Sequence, residues 1–129
     1  MLPFAVHFTP GEPAYEQLAL AVERAVWARD LLPGQPFPSV RQLSQELCLN
    51  PNTVHRAVQL LTERGFLDTR PGRQSLIRLP DAPPTSLALN LLRPPIDRVV
   101  VEARRLGLTL DPVERLLHQQ WTAVEGRAE

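Results

Sequence analysis

The sequence predicts a mostly α-helical chain with a small β-wing, and three observations predict it. First, residues 37–79, FPSVRQLSQELCLNPNTVHRAVQLLTERGFLDTRPGRQSLIRL, read as a helix, a tight turn, a second helix and a two-stranded ribbon with arginines about its tip. Second, the apolar residues of both helices recur at spacings of three and four, which gathers the polar ones on the opposite faces. Third, two more apolar stripes at helical spacing follow residue 95. The architecture this implies is a winged helix-turn-helix domain over residues 1–80, a proline-rich linker over 81–95 and a two-helix dimerisation tail over 96–129.

In chain order, residues 6–8 have the makings of an edge strand. Pro13 opens a helix expected to run to about Leu31, with Pro33 and Gly34 ending it. Tyr15, Leu18, Val22 and Val26 form its stripe. Ser39 suits a helix N-cap, and Gln42 three residues later completes a capping-box pattern. Val40, Leu43 and Leu47 are the inward side of that second helix, and Leu49 and Asn50 make the turn. Asn50 is also a good cap for the third helix, and Pro51 fits its first position, where a missing N–H costs nothing. Val54, Ala57, Val58 and Leu61 should face inward, and Gly65 suits a left-handed C-terminal stop. Residues 66–70 and 75–79 read as strands around the turn at Pro71 and Gly72; two strands alone would be marginal, so they should pack on the helices.

Five prolines between residues 80 and 95 mark the linker, although Leu87, Leu89, Leu91 and Leu92 suggest that part of it docks on something. The first tail helix places Ile96, Val99, Val100, Ala103 and Leu106 on one face and stops at Gly107. The second begins at Asp111, with Pro112 next, and aligns Val113, Leu116, Leu117, Trp121 and Val124. Helices this short cannot bury such stripes between themselves, so dimerisation through them is expected. The competing reading folds them back on the first domain.

Bulk properties exclude several classes. The 129 residues suffice for one compact domain with a short appendage, and the 43% hydrophobic content is ordinary for a soluble protein. The 14 prolines exceed the usual share of about 5% and sit at segment edges, where they punctuate helices. No apolar run approaches the roughly 18 residues of a membrane span, and MLPFAVHFTPGEP lacks the parts of an export signal. The lone Cys48 forbids an internal disulfide, which fits a reducing cytoplasm, and between leucines it is expected to be a small buried hydrophobe. The chain has no lysine, which removes Schiff-base chemistry, a phosphate-loop lysine and a lysine general base. His7, His55 and His118 stand on separate elements, the carboxylates show no paired-metal pattern, and Ser39 and Ser75 lack a nucleophile's setting. Neither an enzyme, a cofactor nor a metal is expected.

Formal net charge is zero, but it is unevenly distributed. Residues 36–80 carry six arginines against Glu46, Glu63 and Asp68, a net of +3; residues 1–35 come to −2 and residues 81–129 to −1. The positive charge lies where a phosphate-facing patch would need it, although many solvated faces match that value. With the apolar stripe of the third helix inward, Asn52, Thr53, His55, Arg56 and Gln59 point outward near its N-terminal half, the part of a recognition helix that enters a major groove. Arginine suits the paired acceptors of guanine, and Asn or Gln those of adenine. Arg41 on the second helix would grip a phosphate or base edge, while Arg70 and Arg73 bracket a wing able to follow the backbone or enter the minor groove.

PAYEQLALAVERAV, LLPGQPFPSVRQLSQELCLNPNTVHRAVQLLTERGFL and the hairpin after them resemble the winged helix-turn-helix domain of the GntR family of bacterial transcription regulators, over about residues 8–79. VVVEARRLGLTLDPVERLLHQQW is similar to the short two-helix tail of its YtrA subfamily. The resemblance implies a cytoplasmic, homodimeric repressor that binds double-stranded DNA at a palindromic operator, often with genes beside transporter operons. It carries DNA contacts over to Arg41, Asn52, Thr53, Arg56 and Gly72. The chain departs from the family at three positions: Cys48 stands where the turn usually has glycine, Gln74 replaces the second glycine of the wing, and His55 stands where arginine or serine is frequent.

The sequence leaves alternatives open. A winged helix can dock on a protein instead of DNA, but its exposed helix face would then show apolar anchors that Asn52, His55, Arg56 and Gln59 do not supply. His55 reads either as a base or phosphate contact that strengthens as pH falls or as a neutral surface histidine. A small-molecule effector could bind between subunits near Trp121 or Leu92, against the competing reading that Trp121 is core.

Overall fold

The predicted stripes of the first three helices become a common core. The computed structural model describes residues 1–125, with α1 (Ala14–Trp27), α2 (Val40–Leu47), α3 (Pro51–Glu63), β1 (Leu67–Asp68), β2 (Leu76–Ile77), α4 (Thr85–Arg105) and α5 (Leu110–Glu125). Residues 1–80 form one unit and residues 81–123 another. In the first, Leu18, Val22 and Val26 of α1 are buried with Leu43 of α2, Val54, Ala57 and Leu61 of α3, and Phe37, Phe66, Leu67 and Ile77. Ala19 and Ala25 widen the buried face of α1, and α3 packs chiefly on that helix. Tyr15, Val40, Leu47 and Val58 are half-buried at the rim.

The helix ends follow one plan that glycine marks only in part. At the end of α3, Gly65 takes φ +85°, Phe66 N–H donates to Leu61 O at 2.9 Å and Gly65 N–H donates to Thr62 O at 3.2 Å. These are the two bonds of a left-handed C-terminal cap. Gly107 closes α4 in the same way. α1, however, stops at Trp27 instead of near Leu31: Arg29 adopts φ +65°, and Asp30 N–H reaches Ala25 O at 2.9 Å. α2 ends likewise on Cys48 at φ +54°, with Leu49 N–H on Ser44 O at 3.1 Å. Cys48 is therefore exposed and not the buried hydrophobe expected, because the left-handed residue turns the chain so that Leu47 and Leu49 face the core around it.

A left-handed residue with a side chain is disfavoured by about 1–2 kcal/mol. Cys48→Gly should therefore stabilise the domain by up to about 1 kcal/mol, after allowing for the greater freedom of glycine in the unfolded chain. Urea denaturation would read this as a higher midpoint at unchanged slope.

The ribbon is shorter than predicted but better supported. β1 and β2 pair antiparallel with Leu67 opposite Ile77 and Asp68 opposite Leu76, inside the expected 66–70 and 75–79. The proline-rich loop before α2 lies along the other edge of β2: Gly34 N–H donates to Ile77 O at 2.8 Å, Ile77 N–H to Gln35 O at 2.9 Å and Phe37 N–H to Ser75 O at 2.8 Å. That loop reads from sequence as punctuation, since Pro33, Pro36 and Pro38 disguise its pairing. The edge strand expected at residues 6–8 is not a strand. Residues 2–7 do alternate half-buried and exposed, with Phe4 stacked on Phe37 at 6.1 Å, but they have no ladder partner among the described residues.

The second unit corrects the linker. α4 begins at Thr85, eleven residues before the expected start of the first tail helix, and Pro94 and Pro95 lie inside it. Proline in a helix interior forfeits a backbone bond, yet its fixed φ is itself helical. The half-buried residues Ala88, Pro95 and Ala103, seven and eight apart, show one helical face running through the prolines. α5 starts at Leu110, one residue before the predicted Asp111.

Candidate nucleic-acid interface

α3 presents its polar face because its apolar face is fully committed. Val54, Ala57 and Leu61 have no exposed surface, whereas Asn52, His55, Arg56 and Gln59 are exposed and Thr53 is half-buried. The N-terminal turn is built from Asn50: its side chain accepts from Asn52 N–H at 2.8 Å, and its carbonyl accepts from Thr53 and Val54 N–H at 3.0 and 3.2 Å. With Pro51 in the first position, this turn has few ways to fray, so Asn52 and Thr53 are presented on a fixed backbone. Arg56 has its guanidinium carbon 4.1 Å from the centroid of the Tyr15 ring on α1. From sequence, Tyr15 reads only as part of a core stripe.

Arg41 is exposed in the first turn of α2, whose position Leu43 fixes in the core. Ser39 caps that helix as expected, accepting from Gln42 N–H at 3.1 Å, but the reciprocal half of the capping box is not formed. The Gln42 side chain instead donates to Glu46 at 2.9 Å. The amino group of Met1, 2.6 Å from Glu46, together with Gln42, holds the Glu46 carboxyl below the usual carboxylate range.

In the wing, Gly72 takes φ +67° at an open turn, Arg73 is exposed, and Arg73 N–H donates to Arg70 O at 3.2 Å. Arg70 differs from a fully solvated tip arginine. It is half-buried, and its enclosed Nε has no hydrogen-bond partner among the described residues. Gln74, which replaces the second glycine usual in the wing that the sequence resembles, donates from Nε2 to Phe37 O at 3.1 Å. The same Phe37 bonds Ser75 through its N–H, so both polar groups of its backbone anchor the wing to the segment before α2.

The charges sort into structural and available groups. Arg64 is held at 2.8 Å by Glu23 of α1, whereas among the described residues Arg41, Arg56 and Arg73 form no ion pair. No group of three or more potential metal ligands occurs among the described residues, and no described helix is long and apolar enough to cross a membrane.

The tail residues named from sequence lie on α4 and α5, neither of which has a fully buried residue. Ala103 and Val113 are half-buried; Ile96, Val99, Val100, Leu106, Leu116, Leu117 and Trp121 are exposed, with Trp121 at 66%. Leu87, Leu91 and Leu92, placed in the linker from sequence, are equally exposed on the added turns of α4.

Comparison with known proteins gives consistent matches. The model of the gntR family of bacterial regulatory proteins matches residues 14–77. The HTH-type transcriptional regulator YhcF of Bacillus subtilis (strain 168) is 30% identical over 119 residues, covering 92% of this chain and 96% of its own. The HTH-type transcriptional repressor YtrA of the same organism is 26% identical over 117 residues, covering 88% of each chain. Among solved structures, a transcriptional antiterminator from Listeria monocytogenes EGD-e superposes with a TM-score of 0.80 at 22% identity, covering 94% of this chain and 91% of its own, and so shares the fold.

Proposed function

This chain belongs to the gntR family of bacterial regulatory proteins, in its YtrA-like subfamily, and from that premise we propose that it is a homodimeric repressor reading an inverted-repeat operator. That it is a DNA-binding transcriptional regulator and not an enzyme follows from the family. The observation that carries the operator reading is the capped, rigid start of α3, with Asn52, Arg56 and Gln59 exposed on the face opposite its buried stripe.

In this reading α3 enters the major groove. Arg56, Asn52 and Gln59 address base edges, Thr53 and His55 line the same face, and Arg41 at the start of α2 grips the flanking backbone. The wing follows the neighbouring phosphates with Arg73 at its open turn, Gly72 giving close approach and Arg70 set deeper at its base. The protein-docking alternative is disfavoured by the absence of large apolar side chains among the exposed positions of α3.

The dimer reading rests on α4 and α5. Fourteen of the twenty exposed large apolar side chains among the described residues lie on these two helices and the turn between them. A second copy is the occupant that a two-fold reader requires, because two half-sites about 34–36 Å apart need two recognition helices. Repression follows if the occupied operator excludes polymerase, and the similar YtrA of Bacillus subtilis is named a repressor.

Selection of duplexes from a randomised pool by the purified chain tests the reading. An inverted repeat is expected, and a recovered single half-site or no enrichment contradicts it. Arg73→Ala should weaken binding to all sequences alike. It should also reduce the slope of log affinity against log salt by about 0.9 for each phosphate that Arg73 neutralises, twice that for a dimer. An unchanged slope means that Arg73 meets no phosphate.

A further inference from the structure

We infer that Tyr15 is a positioning residue for operator reading: its ring fixes the direction in which Arg56 presents its guanidinium to the bases. The inference rests on the DNA-reading function proposed above. Tyr15 is the second residue of α1, half-buried against the core, so its ring is held in place by packing. Its hydroxyl donates outward to Glu16 at 3.2 Å and takes no part in holding Arg56. The Arg56 guanidinium carbon sits 4.1 Å from the ring centroid. Among the described residues, no protein acceptor claims an Arg56 donor.

A cation held over an aromatic face keeps its N–H groups at the edge of the guanidinium plane, where two parallel bonds to one base can form. The ring thus orients the group without consuming a donor. An unsupported arginine on a helix surface samples many rotamers and loses them all on binding; one already held over a ring has given up part of that freedom beforehand. Among the described residues, His55 and Gln59 share the exposed face but have no ring contact of this kind, so the side chain preset on that face is Arg56. Because Tyr15 lies on α1, the reading direction is set by a helix outside the helix-turn-helix pair.

The probe is a fluorescent duplex enriched from a randomised pool by the wild-type chain, with binding followed by anisotropy. Tyr15→Leu should lower affinity about three- to fivefold per half-site, and about ten- to twenty-five-fold for an operator holding two copies. Tyr15→Phe, which keeps the ring, should bind like wild type. In an Arg56→Ala background, Tyr15→Leu should cause no further loss. Repeating the selection with Tyr15→Leu should relax the same base pair of each half-site that Arg56→Ala relaxes, a readout that a merely structural role would not move.

Should Tyr15→Leu unfold, the ring-current shift of the Arg56 side-chain protons in the wild-type chain tests the same stacking. It should persist when DNA is added, and its disappearance on binding would mean that Arg56 leaves the ring to reach DNA. The inference is overturned by that disappearance, by wild-type affinity of Tyr15→Leu, by Tyr15→Phe binding as weakly as Tyr15→Leu, or by an undiminished effect of Tyr15→Leu without Arg56. If the wild-type chain enriches no duplex, the DNA-reading function fails as well. If it does and the two substitutions act independently, only the role of Tyr15 is lost.

Discussion

Arg56→Ala should weaken operator binding by about 1–3 kcal/mol per half-site, the range for a well-placed base contact, and so by about 2–6 kcal/mol for a dimer on both half-sites. The fold should survive. Arg56 is exposed, and its contact with the Tyr15 ring is worth about 0.5–1 kcal/mol at such a site. Arg41→Ala should act similarly from the first turn of α2, with a larger share of its effect in the salt dependence if it meets phosphate. Anisotropy titration at fixed salt, beside thermal melts of the same variants, separates lost reading from lost folding. Unchanged affinity in either variant would remove that residue from the interface.

The second large effect is expected at the tail. Val100→Asp combined with Leu117→Asp places carboxylates on the exposed stripes of α4 and α5. An unpaired charge enclosed in an apolar interface costs several kcal/mol, enough to dissociate a marginal dimer. The residues of the first unit are untouched, so that unit should remain folded. Sedimentation should show a monomer, and operator affinity should fall to that of a single half-site. A variant that stays dimeric would move the interface elsewhere, and a monomeric wild type that binds a full operator would remove the need for one.

The residues show why some of the fold was legible in the sequence and some was not. α3 was readable almost completely, because Asn50, Pro51 and Gly65 are strong local signals that agree with the stripe of Val54, Ala57 and Leu61. The ends of α1 and α2 were not, since Arg29 and Cys48 occupy left-handed positions where glycine is the usual mark. The extent of α4 was hidden by Pro94 and Pro95, which are read as breakers even though the apolar spacing continues through them. At the candidate site, the outward set on α3 followed from periodicity alone. Three features did not: the ring beneath Arg56, the enclosed Nε of Arg70 and the bond from Gln74 to Phe37. The first and the third depend on where a distant segment packs, which no local pattern encodes.

Amide NMR on the full chain, titrated with a duplex from the selection, bears most directly on the claim that the outward side of α3 lies in the groove. The largest shifts should fall at residues 52–59 and at Arg41, with smaller ones at 70–74 and almost none on the buried positions Leu18, Val22 and Leu43. Shifts concentrated on α4 and α5, with residues 52–59 unmoved at saturation, would contradict it.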